Sequence, residues 1–294
     1  LTGRFRGRRS ESIAGALAIG GSATVQLFSE IATLDPVKAT GSGASDGQRF
    51  FPLYGALMTY SAVNNKTEVI LAESFTPDAT IKVWTLKLEA GSKFVDGTDF
   101  NAEAVKANDE RCQVAANASP ARGTCAAFTS MQVTDPLTLV VTNAAPTAHL
   151  DKSISRTALN DLASKKAIDD KTDLTSKPVG AGPYKMDEWV RDSRLVMSKN
   201  PDWKATPVYL DKLTYRVQGN EQQRVDSFGT GATDALYTAT PGSVESALKV
   251  VKGVYKASVD VSVNQVSVMC SPKLGGCEQY EDGILRADKL WKKA

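Results

Sequence analysis

Histidine is nearly missing from this chain: His149 stands alone among 294 residues. Cysteine is scarce too, with four residues and no CxxC spacing, so a zinc centre lacks a ligand set and no metal site is expected. Charge of one sign is also missing. Lys and Arg total 35 against 33 Asp and Glu, and a net charge of +2 gives no surface-wide field to draw nucleic acid. The local exception is Arg4, Arg6, Arg8 and Arg9, read as a solvated terminal arm. No apolar run approaches the ~20 residues that a membrane-spanning helix requires. Residues 13–19 behind the arginines are similar to the apolar core of a secretory leader, weakened by Gly and Ala. Residues 1–21 are therefore read as an N-terminal arm or leader remnant. Catalytic signatures are missing as well: there is no HExxH, no nucleophile elbow and no serine paired with His149. A hydrolase reading would rest on the abundance of acidic side chains alone. No catalytic residue and no cofactor are assigned.

What is present describes a globular chain. Hydrophobic residues make up 42% and charged residues 23%, and 294 residues are enough for two domains with a sizeable core. The cysteines fall into two local pairs, Cys112 with Cys125 and Cys270 with Cys277. Two short-loop disulfides in an exported protein fit this spacing, each contributing ~3 kcal/mol in the chain-entropy model. Four free thiols are the alternative.

The densest stretch is residues 84–105, WTLKLEAGSKFVDGTDFNAEAV. Trp84, Leu86 and Leu88 alternate with polar residues at period two, which predicts a strand. Ala90-Gly91 breaks it, Phe94-Val95 resumes a short apolar strand, and Asp96-Gly97 is a strong turn dipeptide. Asn101 is placed to N-cap a helix reaching about Arg111, with Glu103 in its first turn to complement the dipole.

Other segments carry their own signals. Residues 24–28 read as a first strand running into Leu34-Asp35-Pro36, and residues 41–47 as a polar Gly/Ser-rich loop. Residues 50–60 begin as an apolar helix, and Leu71-Ala72-Glu73-Ser74-Phe75 follows. Residues 131–141 read as a hairpin with Pro136 at the second turn position. The run Pro178-Val179-Gly180-Ala181-Gly182-Pro183-Tyr184 is glycine-rich, but no Lys-Ser/Thr follows Gly182 and Pro183 lacks an amide donor, which rules out a P-loop. Strands follow around Glu188-Trp189 and at Leu195-Val196-Met197. Then come Asn200-Pro201-Asp202-Trp203, an alternating strand over 209–217, a helix over 221–228, and Gly231-Ala232-Thr233-Asp234-Ala235.

In this order the motifs resemble the extracellular solute-binding proteins of ABC importers, in the dipeptide/oligopeptide/nickel-binding branch known as solute-binding family 5. The resemblance is carried by Trp84, Leu86, Leu88, Gly91, Phe94, Asp96, Gly97, Phe100, Ala102 and Val105. It is carried also by Leu34-Asp35-Pro36, by the 178–184 run with Ala181 in place of Thr, and by Asn200-Pro201-Asp202-Trp203. It covers roughly residues 22–248. It implies an α/β, periplasmic-binding-protein-like fold (type II, cluster C), with a discontinuous mixed-sheet domain and an inserted smaller α+β domain. The corresponding boundaries are 22–40 plus 177–294 for the ligand-binding lobe and 41–176 for the insertion.

The implied role is capture of di- or oligopeptides outside the membrane and delivery to an ABC transporter permease. The chain would act as a monomer, peripheral to the membrane and extracytoplasmic, with no nucleic-acid partner. Ser29 and Glu30 would lie at the mouth of the ligand cleft, with Asp234 and Tyr237 near its floor. Alternatives are a nickel chelate, an oligosaccharide or a small organic acid as the solute, or a non-transporting envelope module that reuses the fold. Relatives are much longer. Only residues 250–294 follow the last matching segment, so most of a second large lobe is expected to be absent from this chain, together with the carboxylate that receives a peptide's amino end.

Overall fold

The computed structural model describes residues 20–39, 46–61, 66–238 and 240–250. The arginine arm and the Cys270/Cys277 pair lie outside the described residues. The first half of the chain runs through β1 (Ser22–Leu27), α1 (Asp46–Tyr54), β2 (Met58–Ser61), β3 (Lys66–Val69), β4 (Ala72–Pro77), β5 (Val83–Leu88), α2 (Ala102–Gln113), α3 (Arg122–Cys125), β6 (Phe128–Asp135) and β7 (Thr138–Asn143). The second half adds α4 (Leu150–Ile154), α5 (Lys165–Asp169), β8 (Tyr184–Val190), β9 (Arg194–Lys199), β10 (Lys212–Val217), α6 (Glu221–Gly229), β11 (Ala235–Leu236) and α7 (Pro241–Val250).

Strands β4 to β7 form an antiparallel sheet in the order β4-β5-β7-β6. The period-two pattern of β5 works as expected: Trp84, Leu86 and Leu88 are buried, and Leu139 and Val141 of β7 lie beside them. The β6–β7 hairpin turns at Pro136-Leu137, where the Leu137 amide donates to Asp135 Oδ1 at 2.9 Å. Helix α2 covers this sheet. Asn101 caps it, Oδ1 accepting from the Ala104 amide at 2.9 Å, and Ala102, Ala104, Val105 and Cys112 face inward. A disulfide joins Cys112, near the end of α2, to Cys125 of α3.

The expected short strand at Phe94-Val95 is reduced to a single bridge between Lys93 and Asp99. The reason is the turn itself. Gly97 adopts φ +84°, its amide donates to the Phe94 carbonyl, and the Phe94 amide donates to the Thr98 carbonyl, so the chain reverses at once. Phe94 and Phe100 bracket the reversal and bury their rings together, with centroids 5.1 Å apart.

The second sheet has the order β11-β1-β10-β9-β8. Strand β1 pairs in parallel with both β10 and β11, while β9 is antiparallel to β10 and to β8. The strand expected over 209–217 begins only at Lys212. Gly20 and Gly21 hold positive φ opposite Tyr209 and Asp211, so regular pairing starts at Ser22 with Lys212. This sheet's core is Leu27, Leu195, Met197, Leu213 and Tyr215, joined by Phe50, Leu53 and Tyr54 of α1 and by Ala163, Ala167 and Leu174.

The glycine-rich run at 178–184 is where these layers meet. A Cβ on Gly180 would stand 2.3 Å from the Leu53 carbonyl oxygen, and one on Gly182 would stand 2.4 Å from that of Pro52. Backbone therefore lies directly on backbone, with the Gly182 amide donating to Leu53 O at 3.1 Å. From the same segment Gly180 accepts from the Val95 amide, and Val179 accepts from the Ser164 amide, each at 2.9 Å. The glycines serve close packing.

Candidate functional site

Strands β11, β1 and β10 run in the same direction, so their carboxyl ends open on one edge of the sheet. In sheets of this kind ligands settle outside the carboxyl ends of the strands. Phe28, Ser29 and Glu30 leave β1 there, Gln218 and Gly219 leave β10, and Tyr237 leaves β11. Strand β8 ends on the same edge, bringing Arg191 and Asp192 of its turn alongside.

An aromatic pair occupies the middle of the edge. Phe28 is 39% exposed, and its ring stands 5.4 Å from that of Tyr237, tilted by 38°. The Tyr237 amide donates to Gln26 O at 2.9 Å, which extends the β11–β1 pairing and fixes the tyrosine beside Phe28. Two rings with part of their surface in water form a platform suited to apolar or planar groups.

Glu30 is anchored from three directions. Its Oε1 accepts from the Ile31 amide at 2.7 Å, and its Oε2 accepts from the Asp192 amide at 2.6 Å. The buried Arg49 guanidinium stands 3.8 Å from Oε1, and its Nη2 donates to the Ser29 carbonyl at 2.8 Å. Burial lowers the Arg49 pKa, while Glu30, Asp46 and Tyr215 favour the charged form. Arg49 keeps its charge in this setting because a guanidinium is not deprotonated in proteins. The carboxylate of Glu30 thus braces the β1 exit against the β8–β9 turn, and Arg49 holds the peptide that presents Ser29. Arg191 adds a further tie, its Nη2 donating to Ile31 O at 3.4 Å while its guanidinium lies 4.8 Å from the Trp189 ring.

Arg224 of α6 performs the matching task on the other side. Its buried guanidinium donates to Gln218 O at 2.6 Å, Gly219 O at 3.0 Å and Tyr237 O at 3.1 Å. One side chain therefore ties the exits of β10 and β11, which flank β1. Glu221 supports it, accepting from the hydroxyls of Thr238 and Thr240 and lying 3.9 Å from Arg224. The Glu221 pKa is lowered chiefly by the Thr238 hydrogen bond.

Of the four residues singled out from sequence, Ser29, Glu30 and Tyr237 share this edge, and Asp234 does not. Asp234 lies at the opposite end of β11, where its amide donates to Thr24 O at 2.9 Å and its Oδ2 accepts from the Thr24 amide at 2.8 Å. Its work is to pair β11 with β1. Sequence reasoning missed Phe28, Arg49 and Arg224. Phe28 was legible as an aromatic just past an apolar strand, whereas nothing local marks the two arginines as buried. Among the described residues no group of three His, Cys, Asp or Glu side chains could hold a metal ion, and no helix is long and apolar enough to cross a membrane.

The glutathione-binding protein GsiB of Escherichia coli K12 is 29% identical over 208 residues, which span 70% of this chain and 40% of GsiB. Among solved structures, the periplasmic binding protein AgaA of A. tumefaciens R10, in complex with agropinic acid, superimposes with a TM-score of 0.66 at 25% identity, over 72% of this chain and 43% of its own. DppA of Helicobacter pylori, in complex with the peptide STSA, gives a TM-score of 0.69 at 24% identity, over 79% of this chain and 49% of its own. The chain thus spans less than half the length of these relatives, and its fold is that of the type II periplasmic binding proteins. The family model for the bacterial extracellular solute-binding proteins, family 5, matches residues 66–269, about two thirds of the sequence, and the chain belongs to that family.

Proposed function

We propose that this chain is part of the substrate-binding component of an ABC importer, taking up a small solute outside the membrane and passing it to the permease, with peptides as the solute class. The observation that carries the reading is the carboxyl edge of β11, β1 and β10, with the part-exposed Phe28–Tyr237 pair set on a rigid frame. Family 5 is a family of binding proteins, not enzymes, which sets the hydrolase reading aside. In this reading Tyr237 and Phe28 meet the solute, the Ser29–Glu30 peptide borders it, and Asp234 acts from behind by placing β11. Residues 22–40 and 177–294 belong to the solute-binding lobe and 41–176 to an insertion, in a monomeric, extracytoplasmic protein.

Peptides are favoured because GsiB is named for glutathione, itself a small peptide, and DppA holds a bound tetrapeptide. Calorimetric titration of the 294-residue chain with glutathione, a dipeptide set and a tetrapeptide set tests the reading, with agropinic acid as the non-peptide control. Saturable heat for a peptide that weakens at least roughly tenfold in a Phe28→Ala/Tyr237→Ala variant supports it. A response to agropinic acid with none to any peptide overturns the peptide assignment.

A further inference from the structure

Strand β8 runs parallel to β1 and β10, with β10 and β9 lying between it and β1. Three strand spacings of ~4.8 Å therefore set the exit of β8 roughly 14 Å from the exit of β1. The chain leaving β1 covers that distance. Phe28 is exposed at its start. By Ile31 and Ala32 the chain has reached the β8–β9 turn, where both carbonyls accept from the Arg191 guanidinium at 3.4 to 3.5 Å. Residues 28–32 thus lay a rim along the edge, with the Phe28–Tyr237 rings at one end and Arg191 at the other.

Arg191 is held in place, but its charge is not answered. Its guanidinium lies 4.8 Å from the Trp189 ring, which steadies it, and its two carbonyl acceptors are neutral and distant. Glu30, on the rim beside it, is already engaged by the Ile31 amide, the Asp192 amide and Arg49. Neither Glu30 nor the exposed Asp192 lies within 4.0 Å of the guanidinium, and Arg191 enters no ion pair among the described residues. The other arginine of this hairpin differs: Arg194 meets both oxygens of Glu188 at 2.9 Å. A permanently charged guanidinium with donors to spare is a seat for a carboxylate, which it can take through two parallel bonds.

On the basis that this edge takes the solute, we propose that Arg191 receives the solute's terminal carboxylate and selects an extended acid whose far end is apolar. At ~3.3 Å per extended residue, the roughly 14 Å between the two ends accommodates about four residues. A dipeptide lying on the rings stops short of Arg191. A tetrapeptide amide reaches it but brings no charge.

Phenylalanyl-trialanine is the probe, with its carboxyl-terminal amide as the first control. Phenylalanyl-alanine and its amide are the short pair, and all four are titrated calorimetrically into the 294-residue chain. The expected result is saturable binding in which the tetrapeptide acid is held roughly tenfold more tightly than its amide. The dipeptide pair should show no such preference. In Arg191→Gln the tetrapeptide acid should fall to the affinity of its amide, and Arg191→Lys should restore part of the difference. If Arg191 only braces Ile31 and Ala32, acid and amide weaken by the same factor in Arg191→Gln, and the proposal is overturned. An equal preference in the dipeptide pair overturns it too, since the span is then wrong. Equal binding of tetrapeptide acid and amide by the parent chain sinks the proposal while leaving the peptide site standing. No saturable heat from any of the four peptides overturns the peptide reading and the proposal together.

Discussion

Two buried residues show how strongly position sets behaviour. Asp109 of α2 lines a small apolar void with Leu57, Val105 and Leu139, and burial, assisted by Glu110, pushes its pKa up to about 8. Because the folded value lies above the unfolded one, the folded chain binds this proton more tightly. The contribution to stability is full below about pH 4 and is lost as pH rises toward 8. Asp161, raised by burial alone, acts in the same direction. Asp109→Asn should therefore flatten part of the stability decline between about pH 4 and pH 8, gaining on the order of a few kcal/mol at the upper end, as read by urea unfolding at each pH. An unchanged pH profile would show that the carboxyl is not buried as described. Gly182 gives the steric counterpart. Its missing Cβ leaves room for the Pro52 carbonyl, so Gly182→Ala should cost about 3 kcal/mol or more, whereas Gly123→Ala, with nothing within 4 Å, should be neutral or slightly stabilising. Thermal melts of the two variants side by side decide this.

At the scale of elements, the edge that carries the proposed function is held by arginines inserted among carbonyl groups. Arg224→Ala leaves three carbonyls of Gln218, Gly219 and Tyr237 without their shared donor and should cost about 3 kcal/mol; Arg224→Lys should recover only part, because an ammonium cannot span the same fork. Hydrogen exchange at Tyr237 should rise in both variants. The α2–α3 corner depends on a covalent tie instead. Reducing Cys112–Cys125, whose partners are 13 residues apart, should cost about 3 kcal/mol and lower the melting temperature of the four-stranded unit by several degrees. Much at this scale was legible in advance. Strand β5, the Asn101 cap, the β6–β7 hairpin and the Pro136 turn follow from local rules, namely side-chain period, capping chemistry and turn stereochemistry. The bracing arginines were not legible, because Arg49 and Arg224 answer carbonyls about 20 residues away and 5 to 13 residues away, and no local pattern announces such partners. Asp234 and Tyr237 stand three positions apart, at the two ends of the short strand β11, and the pairing of Asp234 with Thr24 is likewise a contact between residues distant in sequence that no local pattern announces.

For the whole molecule, the family motif at 178–184 was readable as a signature long before its purpose, which is to let α1, the 94–97 turn and the segment entering α5 close on one another. The two sheets differ sharply in how far apart their strands lie in sequence. Strands β4 to β7 occur within residues 72–143, whereas β1 meets β10 through Ser22 and Lys212, 190 positions later. Contacts between distant residues form late, since the loop must be closed before they add stability. Pulse-labelled hydrogen exchange during refolding should accordingly show protection in β5 and β7 before β1; simultaneous protection would mean that one nucleus spans both sheets. Until β10 and β11 arrive, β1 is a strand with both edges bare and Ala23, Val25 and Leu27 along it. Another copy of the same strand can fill either edge. Self-association during refolding is thus the natural competitor of this architecture, and recovery of folded chain should fall as its concentration rises.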